Sequence, residues 1–151
     1  MTEHELPGDD QVGEVREWRL PAKTSTAAGG HARERTSDGH VALRGRLLGL
    51  GESQVDWRPR WLEVRIFEDL DADEYVVHTA GMSRLPGEVP LTRVERSKTA
   101  DGVIERLLKR EEGKETYLSI PARRALEQAA LEDEDLREAW AEHRAAYLAA
   151  S

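Results

Sequence analysis

No cysteine occurs in this chain, so disulfides, thiolate nucleophiles and cysteine metal sites are excluded and the redox compartment stays open. Long apolar runs are missing too. No stretch approaches the length of a membrane span, and the amino terminus, Met1-Thr2-Glu3-His4-Glu5, is acidic with no apolar run behind it, which argues against a signal peptide. The expected setting is the cytoplasm, with no membrane partner. Lysine is scarce: of 22 basic residues only Lys23, Lys98, Lys109 and Lys114 are lysine, and with the abundant alanine this is the composition of a GC-rich bacterial genome. Positive charge as a whole is in deficit. A net charge of -8 opposes non-specific attraction to nucleic acid or anionic lipid. The deficit is uneven, at -3 over residues 1–40, +2 over 41–66, -5 over 67–89, +1 over 90–115 and -3 over 116–151.

Catalytic and metal-binding patterns are also wanting. The five histidines, His4, His31, His40, His78 and His143, include no pair at helical ligand spacing, and no glycine-rich phosphate loop is present, so no metal or cofactor is expected. Asp69, Asp71 and Asp73 imitate the start of a calcium loop. Glu74 stands where such a loop needs glycine, however, and Ala80 where the bidentate acid belongs, so a solvated hairpin turn is the reading. Gly81-Met82-Ser83-Arg84-Leu85 lacks the second glycine of a nucleophile elbow.

What is present suits one domain: 151 residues, of which 38% are hydrophobic, can bury a single core. The chain is organised around Arg60–Met82. In Trp61-Leu62-Glu63-Val64-Arg65-Ile66-Phe67 the aliphatic residues recur at a period of two, and Tyr75-Val76-Val77-His78-Thr79 supplies a second strand after the acidic stretch 68–74. Val41, Leu43 and Leu47 alternate with Ala42, Arg44 and Arg46 as an earlier strand, and Gly45, Gly49 and Gly51 suggest a bend or bulge and then a turn. Leu91–Glu95 forms one more. Residues 1–39, rich in glycine and polar positions, read as a flexible tail with a short apolar island at 15–20 (Val15, Trp18, Leu20), and 40–151 as the folded domain.

Thr99 caps an expected helix over about 100–112, with Val103, Ile104, Leu107 and Leu108 on one stripe and Gly113 as the stop. A short strand at Thr116–Ile120 precedes a helix begun by Pro121, with Leu126, Ala129 and Ala130 inward. Acidic residues 132–135 interrupt it. Asp135 and Glu138 match a capping box for a last helix to about 149, with Leu136, Trp140, His143 and Tyr147 on one face. The expected fold is therefore α+β: an antiparallel meander of three to four strands with helices on one face, where Leu62, Val64 and Ile66 meet the 103–108 stripe.

The opposite sheet face carries the candidate binding surface. Arg44 and Arg46 are expected beside Trp61, Arg65 and Phe67 on it, with Trp57, Arg58 and Arg60 at its edge, and interleaved arginines and aromatic rings are what a single-stranded nucleic acid needs. Ser119, Arg123 and Arg124 surround a predicted helix start, a candidate anion site. The acidic turn Asp69–Glu74 is the expected counterweight to those arginines. From Thr116 onward the strand and two helices resemble, in element order, a ribbon-helix-helix DNA-binding unit, although the acidic turn between the helices opposes phosphate.

Taken together, the chain reads as a small, acidic, non-catalytic interaction or regulatory module that binds a protein partner. The alternative is a nucleic-acid-binding regulator using the Arg/Trp face or the carboxy-terminal strand-helix-helix unit. Oligomeric state is left open.

Overall fold

The period-two segments form the middle of the sheet, and the structure extends them on both sides. The computed structural model describes residues 6–26, 39–109, 112 and 116–150. Its strands are β1 Val15–Pro21, β2 Thr24–Thr26, β3 His40–Glu52, β4 Arg60–Asp69, β5 Glu74–Ser83 and β6 Leu91–Ser97. Its helices are α1 Ala100–Leu107, α2 Ile120–Glu132 and α3 Glu134–Ala150. The fold is α+β, and among the described residues no helix is long and apolar enough to cross a membrane.

β3 to β6 make the expected antiparallel meander, but the sheet has six strands in the order β1-β3-β4-β5-β6-β2, and β2 runs parallel to β6. The two extra strands come from the segment expected as a flexible tail. Trp18 and Leu20 alternate inward and are buried, and Trp18 Nε1 donates to the Gly45 carbonyl at 2.9 Å. That burial outweighs the polar composition around it, because Trp18 and Leu20, with Ala22 just beyond the strand, recur at a period of two and suffice to hold an edge strand on an existing sheet. After β1 the chain crosses Ala22 and Lys23 and joins the far edge, where Lys23 N–H reaches Thr92 O at 3.0 Å. One continuous segment thus pairs with both edges, and the sheet curls. The expected boundary at residue 39 is not followed by the packing; residues 1–5 and 27–38 lie outside the described residues.

Curling gives each sheet face its own core. Val64, Ile66, Tyr75 and Val77 pack under the helices with Val103, Ile104, Leu107, Leu126 and Leu136, and Leu62 and Leu108 lie against them, as the alternation and the helix stripe predict. Inside the curl, Trp18, Leu20, Val41, Leu43, Leu47, Phe67, Val76 and Val94 form a second cluster. The helix-distal face is therefore largely interior.

β3 shows what its glycines do. The ladder slips between Leu47 and Gly49, the expected bulge, yet the strand continues to Glu52 with no turn at Gly51. A Cβ on Gly49 would lie 2.7 Å from Ala129 N and closer still to the Ala125 carbonyl, and one on Gly51 would strike the Pro121 carbonyl. The glycines and the buried Ala122, Ala125 and Ala129 let the α2 backbone rest directly on β3.

Helix ends depart from expectation by a few residues. Thr99 Oγ1 accepts from Gly102 N at 3.0 Å, the predicted cap, but α1 stops at Leu107 because the next residues turn extended and Lys109 bridges Tyr117. The expected strand at Thr116–Ile120 is only that single bridge. Gly113 lies outside the described residues. α3 is capped by Asp133 instead of Asp135: its carboxylate accepts from Leu136 N at 3.0 Å and from the Tyr75 hydroxyl at 2.7 Å. The contact with β5 selects it. Leu136 and Trp140 are buried and His143 half-buried, with Trp140 and His143 stacked at 5.8 Å; the Tyr147 side chain lies outside the described residues.

Candidate functional site

In an antiparallel meander the β3–β4 and β5–β6 connections fall at the same end of the sheet. Here they are residues 53–59 and 84–90, and they are cross-braced. Arg84 N–H donates to the Pro59 carbonyl at 2.8 Å, and its guanidinium donates to the Val55 and Asp56 carbonyls, each at 2.9 Å. Arg60 grips Glu88 with two nitrogens at 2.9 and 2.7 Å. The shared hydrogen bonds hold the Glu88 carboxyl below the usual carboxylate range and raise the Arg60 guanidinium. Both groups are exposed, so this is a geometric brace more than a source of stability.

The braced loops hold apolar side chains out in water. Trp57 is 80% exposed, Val89 72% and Leu91 63%, with Leu85 also exposed. Leu85 and Val89 stand among Pro86, Gly87 and Pro90, residues that cannot continue a strand or helix, so neither apolar side chain has an element to turn it inward. That is the signal sequence reading could have used for these positions, and with Leu91 and Arg84 they are the site residues it missed.

Beneath the rim a chain of polar contacts runs into the curl. The Arg84 guanidinium lies 5.3 Å from the Trp61 ring centre. Trp61 Nε1 donates to one Glu63 oxygen at 2.7 Å, and Arg65 donates to the other at 2.8 Å. Arg65 Nε then donates to the Pro7 carbonyl at 2.6 Å. Its cross-strand neighbour is His78, whose Nε2 lies 2.8 Å from the Pro21 carbonyl. A carbonyl only accepts, so neutral His78 donates through Nε2 and leaves Nδ1 without a partner. Burial depresses its pKa to about 4; Arg65 adds to the fall, while the Pro21 bond and Glu63 oppose it. His78 is thus a packed, neutral histidine, and it and Arg65 anchor the amino-terminal segment.

Of the eight expected surface residues, the structure brings Trp57, Arg58, Arg60 and Trp61 together at the rim. Arg65 is buried below them and Phe67 is fully buried. Arg44 and Arg46 are elsewhere. In the β3–β4 register Leu47 stands opposite Phe67 and Arg46 opposite Glu68, and directly opposed side chains share a face, so Phe67 faces in with Leu47 while Arg46 turns to the helix side. Arg46 pairs there with Glu68 at 3.6 Å and Glu132 at 3.7 Å. Arg44 pairs with Asp71 at 2.7 Å, and that bond lowers the Asp71 pKa. The single Arg/Trp platform is not assembled.

The candidate anion site is likewise occupied by the protein itself. Ser119 Oγ accepts from Ala122 N at 3.3 Å, Arg124 donates to the Glu52 carbonyl at 2.9 Å, and Arg123 is exposed. The acidic turn does not compensate these arginines. Asp71 takes Arg44, and Asp69 takes the buried Arg96 at 2.8 Å with Glu74 at 3.9 Å from it. Among the described residues no group of three or more histidines and acids is placed to hold a metal ion. Nor does the carboxy-terminal region present a reading ribbon, since Tyr117 forms one bridge and α2 lies on β3 of the same sheet. No protein-family model, no curated protein and no solved structure matches this chain.

Proposed function

We propose that this protein is a non-catalytic interaction module that docks a protein partner through the rim at the 53–59 and 84–91 end of the sheet. The observation that carries the reading is that Trp57 and Val89, on loops braced by Arg60–Glu88 and by Arg84, and Leu91, which opens β6 beside them, are each more than half exposed. Loops that are stiff and apolar lose little entropy on docking and gain the full transfer of that surface from water. Tryptophan and arginine are also the side chains that most often anchor interfaces. The rim's charges favour protein over nucleic acid: Arg60 is neutralised by Glu88, and Arg84 is already bonded to backbone carbonyls, so Arg58 is left as the principal outward cation.

The test is capture from an extract of the source cell on immobilised protein, comparing wild type with a Trp57→Ala, Val89→Asp double variant. Proteins retained by the wild type and lost by the variant, with amide-exchange protection over 53–59 and 84–91 in the complex, are the expected result. The reading fails if both baits retain the same proteins, or if labelled single-stranded RNA binds in a salt-sensitive way that Trp57→Ala and Arg58→Ala abolish.

A further inference from the structure

Hydrogen bonds at both ends fasten residues 6–13 to the sheet. Gly13 N–H donates to the Leu47 carbonyl at 2.7 Å. At the other end Pro7 is buried, and its carbonyl accepts from Arg65 Nε at 2.6 Å. Between these points the segment is tied to itself, by Gln11 N–H to the Gly8 carbonyl, Val12 N–H to the Asp9 carbonyl and Gly8 N–H to the Gln11 side chain. Residues 6–13 are thus a strap, and its far end is seated on a buried charge.

Arg65 and Glu63 are both buried, and a buried guanidinium and carboxylate are tolerated only while their donors and acceptors are matched. The Pro7 carbonyl is part of that match. With the strap unseated, Arg65 Nε loses its acceptor and the ion pair must take up water. Glu63 passes the change on, because one of its oxygens accepts from Arg65 at 2.8 Å and the other from Trp61 Nε1 at 2.7 Å. The carboxylate cannot follow Arg65 into water and keep Trp61 in place. The Trp61 ring is in turn the surface on which the Arg84 guanidinium rests, 5.3 Å from its centre, and Arg84 grips the Val55 and Asp56 carbonyls of the neighbouring loop. We propose that residues 6–13 are a regulatory strap for the rim: seated, they keep the 53–59 and 84–90 loops braced, and unseated, they let those loops loosen. Coupling between two equilibria is reciprocal, so a braced rim also seats the strap. The coupling is a property of the loops themselves; only its consequence, that a partner on the rim and a seated strap favour one another, rests on the docking role proposed above.

Amide hydrogen exchange of the full chain tests the coupling with no partner present, so its failure is distinct from a failure of the docking role. Arg84→Met removes the guanidinium from the rim and leaves the hydrogen bonds of the strap in place. The hydrogen-bonded amides of Gly8, Gln11, Val12 and Gly13 are nonetheless expected to exchange about tenfold faster, a modest coupling between two sites. Conversely, Arg65→Met, which keeps an apolar stem in the buried position, should speed exchange at the bonded amides of Ser53, Arg58 and Arg84. The decisive measurement uses Trp61→Phe, which removes the Nε1 donor and keeps a ring. In that background the link is already cut, and adding Arg84→Met should leave the strap amides unmoved. Arg44→Ala breaks an exposed pair elsewhere and should change neither end. Far-UV circular dichroism verifies the fold, and Arg84 is exposed, so the test stands even where Arg65→Met does not fold. Strap amides indifferent to Arg84→Met, or accelerated equally with and without Trp61→Phe, would overturn the proposal.

Discussion

His78 makes acid sensitivity a local and calculable property of this fold. Burial takes its pKa from 6.5 to about 4, so between those values the unfolded chain carries a proton that the folded chain excludes. The state binding more protons gains as pH falls, and here that is the unfolded state. The stability due to neutral His78 is complete above pH 6.5 and is lost progressively as pH drops toward 4. At about 1.4 kcal/mol per pKa unit the whole effect is about 3 kcal/mol, most of which falls between pH 7.5 and 4.5. For a domain stable by about 5–15 kcal/mol this is a large share. The assay is urea unfolding followed by tryptophan fluorescence at several pH values, on wild type and on His78→Leu. Leucine keeps the volume and cannot titrate. Loss of the Pro21 hydrogen bond lowers the variant by a pH-independent amount, and the carboxylates titrate alike in both proteins, so the difference in slope isolates His78. Wild type should lose about 2–3 kcal/mol more than the variant across that interval. Equal slopes would refute the reasoning, because they would mean that His78 takes up its proton in the folded state as readily as in water.

Asp69→Ala removes the carboxylate that neutralises buried Arg96, and with Glu74 still 3.9 Å away the expected loss is about 3 kcal/mol, seen as a fall in Tm of about 6–12 °C. Arg44→Ala, which breaks a pair exposed on both sides, should change stability by less than about 1 kcal/mol in the same assay. Gly49→Ala sets a methyl group against the α2 backbone and is expected to cost about 1–3 kcal/mol in urea unfolding. Its control is Gly81→Ala, where nothing lies nearer than 3.8 Å, and that change should be neutral or slightly stabilising.

Much of the architecture is written locally. Alternation in Trp61–Phe67 and Tyr75–Thr79, the cap at Thr99, the stripe Val103 to Leu108 and the proline at the start of α2 each depend on a few neighbouring residues, and all are in place. The candidate surface is less legible, because it depends on which residue stands opposite which. Alternation along Arg44–Leu47 and along Trp61–Phe67 states that each strand has two faces and leaves open which face of one matches which of the other. The pairing of Leu47 with Phe67, next to the slip at Gly49, separates the arginines from the aromatic residues. Similarly, the capping-box pattern points to Asp135, and the cap falls on Asp133, whose carboxylate also accepts from the Tyr75 hydroxyl on β5.

Composition and periodicity alone determined the absence of cysteine chemistry, the acidic surface, the α+β class and the inward faces of the central strands and helices, since each is a sum over residues or a repeat within one segment. Only the tertiary structure decided that residues 15–26 add a strand to each edge of the sheet, that Arg65, Phe67 and His78 lie inside its curl, and that Trp57, Val89 and Leu91 share one end. Those outcomes depend on contacts between residues far apart in the chain, and the free energy that selects them is the burial of Trp18 and Leu20 against a surface that exists only once the meander has formed.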